Sequence, residues 1–590
     1  MLCKDLFYRG TGFNDRLSGA FTLYPGQSID LLTYLNACSW SSWKQYTSAT
    51  AVSFHLIVSG DLEITYTGNS LEYMELKRTE FASCTELSED KRELVYRYPD
   101  NNETLLGAEI SALSTVIIHE GYFTVTIDES VLNDIRISIA TTTCRKEAYI
   151  LKNIELIKRE ILEGDDDIKD HLDLHVVDNG NTLDASQVVA DHVYLHPNPN
   201  TGGSGGFARG MIETLHQKTP ATHILLMDDD VLILPESIKR TYHLLRLIRS
   251  EYSDRFINGA MLRYEKPNEQ HEDLGTISQG VLFEPLKPAF DHSDPLDVVK
   301  CAGGYYNNPI TYAAWWYCCI PMGVVKKNGL PMPFFVRGDD SEYSLRCKAK
   351  FISMNGICLW HLGFALKFSA AMDIYQQFRN LHIAEISSDI MPGINMHDIY
   401  KAFFHNDIRK FNYCACDLYL KSMEDFLKGP DFLESCDGEA LLKENNSLCE
   451  KTVPLSEHPE ISVHEIRDVY AEQMTPFFRR IRGRIAWSLF DNGHKFPALL
   501  KASGLPVAAF DFSVQLSKMA GFRRYASVNP YTNMVSIREM DRDRYRSIMK
   551  KFKILEKEYK KNKNRLKDEY RKKYSYFRSE EFWTKYLGLR

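Results

Sequence analysis

Three consecutive aspartates, Asp228-Asp229-Asp230, close the apolar run His223-Ile224-Leu225-Leu226-Met227. Side chains alternate along an extended segment, so Asp228 and Asp230 project to the same side. Two carboxylates held together repel unless a hard cation lies between them, and a divalent ion on one or two carboxylates plus substrate phosphates is a common arrangement. A helix N-terminal cap is the alternative, because Val231 to Glu236 follow and acids favour helix starts; three acids exceed what a cap requires. Gly338-Asp339-Asp340-Ser341-Glu342-Tyr343 sets a second acidic pair behind Phe334-Phe335-Val336. One carboxylate there can accept the proton of an attacking hydroxyl, although surface acids are common. Farther along, His361 follows Trp360; a neutral imidazole is a good transition-metal ligand and tilts the choice of ion from magnesium towards manganese. Taken singly, a histidine beside a tryptophan is more often structural.

Two further segments can contact a ligand. Asn198 to Gly210 form a glycine-rich stretch whose backbone amides can approach phosphate or sugar oxygens and which opens a helix. It lacks the Gly-Lys-Ser/Thr of a Walker loop, and a linker is the alternative. Trp315-Trp316-Tyr317 offer flat rings on which the apolar face of a sugar can pack, or core material.

The elements that must position these residues are strands alternating with helices. Ile135 to Ala140 read as a strand running into Thr143-Cys144-Arg145, followed by helical spacing through Ile150, Leu151, Ile154 and Ile157. Leu174 to Val177 form a second strand, ending in Asp178-Asn179-Gly180, and residues 223–227 a third. Such a pattern predicts an open α/β sheet with its ligand crevice beyond the strands' C-terminal ends. Upstream, short strands at 51–58, 62–66, 116–118 and 122–127, punctuated by Gly60-Asp61, Gly68-Asn69 and Glu120-Gly121, predict a β-sandwich or jelly roll, either a structural module or a carbohydrate-binding one. Beyond Met391 the strand signal fades into helical stretches. The expected layout is therefore a multidomain α/β chain: a β-sandwich over 1–130, an α/β domain over 131–390 and a helical region with a basic tail over 391–590.

At 590 residues, 44% hydrophobic and 25% charged, the chain holds more than one core and disorder is not expected. Thirteen cysteines without a Cys-x-x-Cys spacing predict a reducing, cytoplasmic setting. Neither a signal peptide nor a bilayer-length apolar run is evident. Residues 541–590 hold eleven Lys, seven Arg and eight acids, a net of +10, leaving −18 on the rest of a chain whose total is −8. With its aromatic residues, that tail can lie on an anionic membrane surface or form a solvated helix with an apolar stripe. Basic residues concentrate there and not around the crevice, which argues against nucleic acid.

In this order, Thr143-Cys144-Arg145, Val177 to Gly180, Asn200 to Gly206, Asp228 to Asp230, Trp315-Trp316, Gly338 to Asp340 and Trp360-His361 resemble the galactofuranosyltransferases of inverting glycosyltransferase family two, most closely the mycobacterial, galactan-polymerising type. The motifs cover roughly residues 130 to 390, and the three-part layout covers the whole chain. The resemblance implies a glycosyltransferase A-type domain that takes galactofuranose from its uridine-diphosphate donor to a glycan or lipid-linked acceptor, in bacterial cell-wall or polysaccharide synthesis. It implies that Arg145, Asp178, Asn200, Gly202, Gly203, Asp228 and Asp229 meet the donor. Asp228, Asp230 and His361 would hold Mn2+ or Mg2+; Asp340, with Asp339 beside it, would be the general base; Trp315 and Trp316 would form the acceptor platform. A peripheral site on the inner face of the plasma membrane and a homo-oligomer are compatible with it. One departure is Arg337-Gly338 ahead of the acidic pair, where an aromatic residue is expected, and it bears on acceptor selection. Two alternatives keep the same residues: another nucleotide sugar, such as rhamnose, glucose or galactose, or a non-catalytic carbohydrate-binding protein.

Overall fold

The structure, a computed structural model, describes residues 3–14, 21–364, 367–462, 466, 469–471, 477–500 and 502–589. Two five-stranded antiparallel sheets occupy residues 9–126. Along Ala51–Ser59 every second residue is buried, so Val52, Phe54, Leu56 and Val58 point inward, where they share a core with Leu62, Ile64 and Ile110 of the other sheet. Two expected turns are absent. Gly68-Asn69 lie within the strand Leu62–Glu72, and the 116–118 and 122–127 segments are one strand, Val116–Thr126, whose register shifts between Ile118 and Glu120. Glycine marks an irregularity there, not a reversal.

A ten-stranded mixed sheet follows. Its parallel part comprises β1 (Ile137–Thr143), β2 (Leu172–Asp178), β3 (Val193–Pro197) and β4 (His223–Asp228), in the spatial order β3-β2-β1-β4. β1, β2 and all but the last residue of β4 are buried, as expected of strands covered on both faces. Beyond β4 lie β5 (Phe256–Arg263), β6 (Glu269–Glu272), β7 (Tyr317–Pro321) and β8 (Phe351–His361). β7 runs antiparallel between β4 and β5, and β8 pairs parallel with β5. Helices α1 (Glu147–Ile157), α2 (Gly202–His216), α3 (Pro235–Leu247) and α4 (Asp339–Arg346) connect these strands.

The region after residue 391 is not wholly helical. It contains α6 (Met396–Arg409), α7 (Tyr413–Leu427) and α8 (Gly438–Leu448), preceded by α5 (Gln377–Ser387), but also a four-stranded sheet of 453–454, 534–539, 524–529 and 507–509. Its central hairpin turns at residues 530–533, where Asn533 takes a positive φ of 53°. Strands of six residues or fewer carry too little periodicity to stand out among helical neighbours. After α9 (Phe477–Phe490), the tail forms α10 (Arg542–Phe577), capped by the Asp541 carboxylate, which accepts from the Asp543 and Arg544 amides. Tyr545, Ile548, Phe552, Leu555, Tyr559, Leu566 and Tyr570 are buried at a spacing of three and four residues and pack on the core that includes α5 and α7. Trp583 is buried too and donates its indole N–H to the Pro331 carbonyl at 2.9 Å. The tail's aromatic side is thus a packing face, and the expectation of an aromatic surface laid on a membrane does not hold for α10. No described helix is long and apolar enough to cross a membrane.

Candidate active site

β4 delivers Asp228, the chain bends through Asp229, Asp230 and Val231, and the two-residue strand Leu232–Ile233 follows before α3 begins at Pro235. The acidic triplet therefore does not cap a helix. Leu232 and Ile233 pair antiparallel with Trp360 and Leu359, and that pairing carries His361 back beside Asp230. One ligand atom each from Asp228, Asp230 and His361 lie within 4.8 Å of one another. His361 Nδ1 donates to the Leu362 carbonyl at 2.7 Å, which fixes the tautomer and leaves the Nε2 lone pair facing Asp230 Oδ1 at 3.4 Å. Two carboxylates and one imidazole with a fixed tautomer suit Mn2+ better than Mg2+.

Cations converge on the same point. Lys146, at the start of α1, lies 2.9 Å from Asp230 Oδ2 and 3.2 Å from Asp229 Oδ1. Lys367 pairs with Asp230 and donates to His361 Nε2 at 3.0 Å. Burial alone would raise the Asp230 pKa, but the adjoining His361 ring and the charges of Lys146 and Lys367 hold it well below the usual carboxylate range. Burial pushes Asp228 up to about 6. Asp229 is buried against the same Lys146, and the Asn153 amide grips the Asp229 and Val231 carbonyls at 3.1 and 2.9 Å.

The second acidic pair opens α4. Gly338 precedes it with φ +85°, a left-handed conformation that turns the chain into the helix. Asp339 is buried and accepts the Ser204 hydroxyl of α2 at 2.8 Å, so it ties two helices together. Among the described residues Asp340 accepts the adjacent Ser341 amide alone, at 2.6 Å, and it remains partly exposed. Burial first, then the Asp339 charge, pushes Asp340 up to about 7, and Asp228 adds to the rise. The two acidic motifs thus act on each other across one cleft. Glu272, at the end of β6, was not singled out in the sequence; burial, then Asp340 and Asp273, pushes it to about 8. Its only signal was the polar run Gln270-His271-Glu272-Asp273. Lys146 and Lys367 carried none.

The remaining expected residues divide. Arg145, with φ +57°, sits exposed at the rim and pairs with Glu439 of α8 at 3.3 Å. Asp178 is buried, and its carboxylate accepts the Gly180, Thr182 and Leu183 amides at 2.9, 2.7 and 2.8 Å. It holds a turn. Asn200 accepts from Gly202 N at 3.3 Å, and Ser204 N donates to the Phe335 carbonyl at 3.1 Å, so these two amides are engaged within the protein. Two of the glycines also serve packing. A Cβ on Gly202 would sit 2.1 Å from the Phe335 carbonyl and one on Gly206 1.9 Å from Thr142 Oγ1, while Gly203 faces Asp339 Oδ2 at 3.9 Å. Trp315 and Trp316 are each 4% exposed, too little to offer an open ring face as the expected acceptor platform. Trp316 donates to the Gly259 carbonyl at 3.0 Å, and its ring and that of His361 both contact Phe364, at 5.9 and 5.5 Å. Trp315 packs on Phe207 and Tyr343.

Against known proteins, the chain is similar to the galactofuranosyltransferase GlfT2 of Mycolicibacterium smegmatis, 28% identical over 272 residues, 44% of this chain and 41% of that one. It is also similar to GlfT2 of Mycobacterium tuberculosis, 24% identical over 439 residues, 70% of this chain and 67% of that one. The aligned part spans about two fifths of the first relative's length and two thirds of the second's. No protein-family model matches. Among solved structures, a mannosyltransferase from Pyrobaculum calidifontis, in complex with GDP-Man and Mn2+, aligns at 12% identity with a TM-score of 0.29, over 54% of this chain and 81% of that one, a likeness too slight to define the fold.

Proposed function

We propose that the chain is an inverting, metal-dependent glycosyltransferase that moves galactofuranose from its uridine-diphosphate donor to a glycan or lipid-linked acceptor. The observation that carries this reading is the meeting of Asp228, Asp230 and His361, from separate strands, beside a carboxyl at Asp340 poised near neutrality. The names of the relatives supply the sugar. Asp228, Asp230 and His361 would hold Mn2+ or Mg2+, which neutralises charge on the departing diphosphate.

Asp340 accepts the proton of the acceptor hydroxyl as that oxygen bonds to the anomeric carbon and the carbon–phosphate-oxygen bond breaks on the opposite face. Its pKa of about 7 matches the requirement that a base be largely ionised yet still basic at working pH. Asp339, spent on Ser204, keeps α4 against α2 and adds like charge beside the base. In this reading exposed Arg145, paired with Glu439, would contact the nucleotide. Incubation with uridine-diphosphate galactofuranose and a panel of oligosaccharide and lipid-linked acceptors, read by mass spectrometry, tests the reading. One added hexose mass that depends on Asp340 supports it; unchanged acceptors across the panel, with intact protein and metal, overturn it.

A further inference from the structure

A cavity of about 680 Å³ lies between the N-terminal sandwich and the α/β domain, and none of the acidic triplet, His361 or the Asp339-Asp340 pair lines it. One wall is the interior of the sandwich. Phe54 and Leu56 of the strand Ala51–Ser59 and Phe123 of the strand Val116–Thr126 face it, with Ile110 from the opposite sheet. The other wall comes from the α/β domain, through Leu244 and Leu247 of α3 and Met354 and Ile357 of β8. Along α3 the cavity-facing residues recur at helical spacing: Glu236, Lys239 and Arg240, then His243 and Leu244, then Leu247. Charged groups thus stand together towards one end of that stripe and leucines towards the other.

Most of the charges at that end already have partners. Arg240 donates to Glu236 at 3.1 Å and to the Gly356 carbonyl at 3.3 Å, and His243 meets Asp166 at 3.0 Å. Lys239 is half-buried and has neither an ion pair nor a hydrogen bond among the described residues. Glu120, on the sandwich side, is also unpaired, but it is exposed and water screens it. A half-buried ammonium group has less of that hydration, so an anion is the complement it lacks. The volume is that of an ordinary small-molecule site, yet the walls are too apolar for a sugar or a nucleotide, whose hydroxyls and phosphates would find few partners inside. A hydrocarbon chain with one anionic end matches both the walls and the lysine.

We propose that this cavity binds a long-chain monocarboxylate, its chain held between Phe54 and Leu56 of the sandwich and Leu244 and Ile357 of the α/β domain, its carboxylate on the Lys239 ammonium group. Such a ligand bridges the two domains. It also touches the two elements that flank the metal site, since β8 ends at His361 and α3 follows the acidic triplet.

Titration of the full chain with cis-parinaric acid, a polyene carboxylate whose fluorescence rises in apolar surroundings, tests this without donor, metal or turnover, so its outcome is separate from that of the transferase assay. Saturable binding is expected, with displacement by palmitate, which should also raise the melting temperature. Methyl palmitate, the same chain without the charge, should compete about tenfold less well. Lys239→Met should weaken palmitate by a similar factor and leave the methyl ester unchanged. Gly121→Leu probes the chain end of the site. Gly121 lies opposite Leu56 in the strand register, and a Cβ there would sit 3.6 Å from Leu56 Cδ1 and 3.8 Å from Phe54 Cζ, ordinary contact distances, so a leucine side chain enters the cavity. That variant should lose most binding of acid and ester alike at an undiminished melting temperature; if it does not fold, the Lys239→Met comparison decides alone. Uptake that does not saturate, a folded Gly121→Leu that binds like the unaltered chain, an ester that competes as well as the acid, or a Lys239→Met that binds palmitate normally overturns the proposal.

Discussion

Asp230 of the first acidic motif and Asp340 of the second titrate in opposite directions, although Asp228, two residues before Asp230, is raised to about 6. Around Asp230, the His361 imidazole and the Lys146 and Lys367 ammonium groups hold a carboxylate ionised far below its usual range. Around Asp340 the one nearby guanidinium, Arg337, is bound to Asp373 at 2.8 Å, and burial and like charge win, so Asp340 rises to about 7 and Glu272 to about 8. The residue types are the same. Local cations decide whether an aspartate becomes a permanent anion, suited to holding a metal, or a group that exchanges a proton near neutral pH.

The contrast can be broken most forcefully at its proton-exchanging end. Asp340→Asn should lower turnover by about 10²- to 10⁴-fold, the usual contribution of a general base, while calorimetry shows uridine diphosphate binding nearly intact. Turnover within a few-fold of the unaltered enzyme would remove Asp340 from the base role. At the other end, His361→Ala should weaken Mn2+ binding by at least about tenfold, as expected when a small ligand set loses a member, measured by manganese titration in the absence of donor. Chelation should abolish transfer and added manganese restore it.

The acidic limb of the pH profile sharpens the comparison. A base must be ionised, and Asp340 is protonated below about 7, so the rate should rise with pH and reach half its plateau near 7. Asp339→Asn removes a neighbouring negative charge, which stabilises the ionised form of Asp340; the midpoint should fall, by up to about one pH unit. A midpoint that stayed put or rose would show that Asp339 does not act on the base through its charge. The smallest effect is expected at Lys367→Met. Removing an ammonium group that competes for Asp230 and His361 should tighten manganese binding several-fold, and weaker binding would mean that Lys367 orders the site instead of competing for it.

Much of the site was legible because its chemistry sits at strand ends. The apolar run before Asp228, the alternation that pairs Asp228 with Asp230, and the glycine ahead of Asp339 are all local signals. Other features were misread because local signals carry more than one meaning. The glycines at 202–206 read as a phosphate cradle, and two of them, Gly202 and Gly206, are in addition closely packed against Phe335 and Thr142, from distant stretches of chain. Asp178 read as a ligand contact, yet its oxygens are taken by amides two to five residues on. Glu272, Lys146 and Lys367 were invisible, because a single charged residue has no pattern. The aromatic residues of α10 and the exposed ones of α9 look alike in sequence; only packing separates a buried stripe from an open one.

By itself, the sequence determined which carboxylates could act and on which side of their strand they would lie, since strand alternation is a property of the local backbone. Tertiary structure alone decided which of them meet: the pairing of Leu232 and Ile233 with the end of β8 brings His361 to Asp230, while desolvation and the neighbouring Asp339 charge raise Asp340. Ionisation depends on distance and burial, and neither is written in the order of residues.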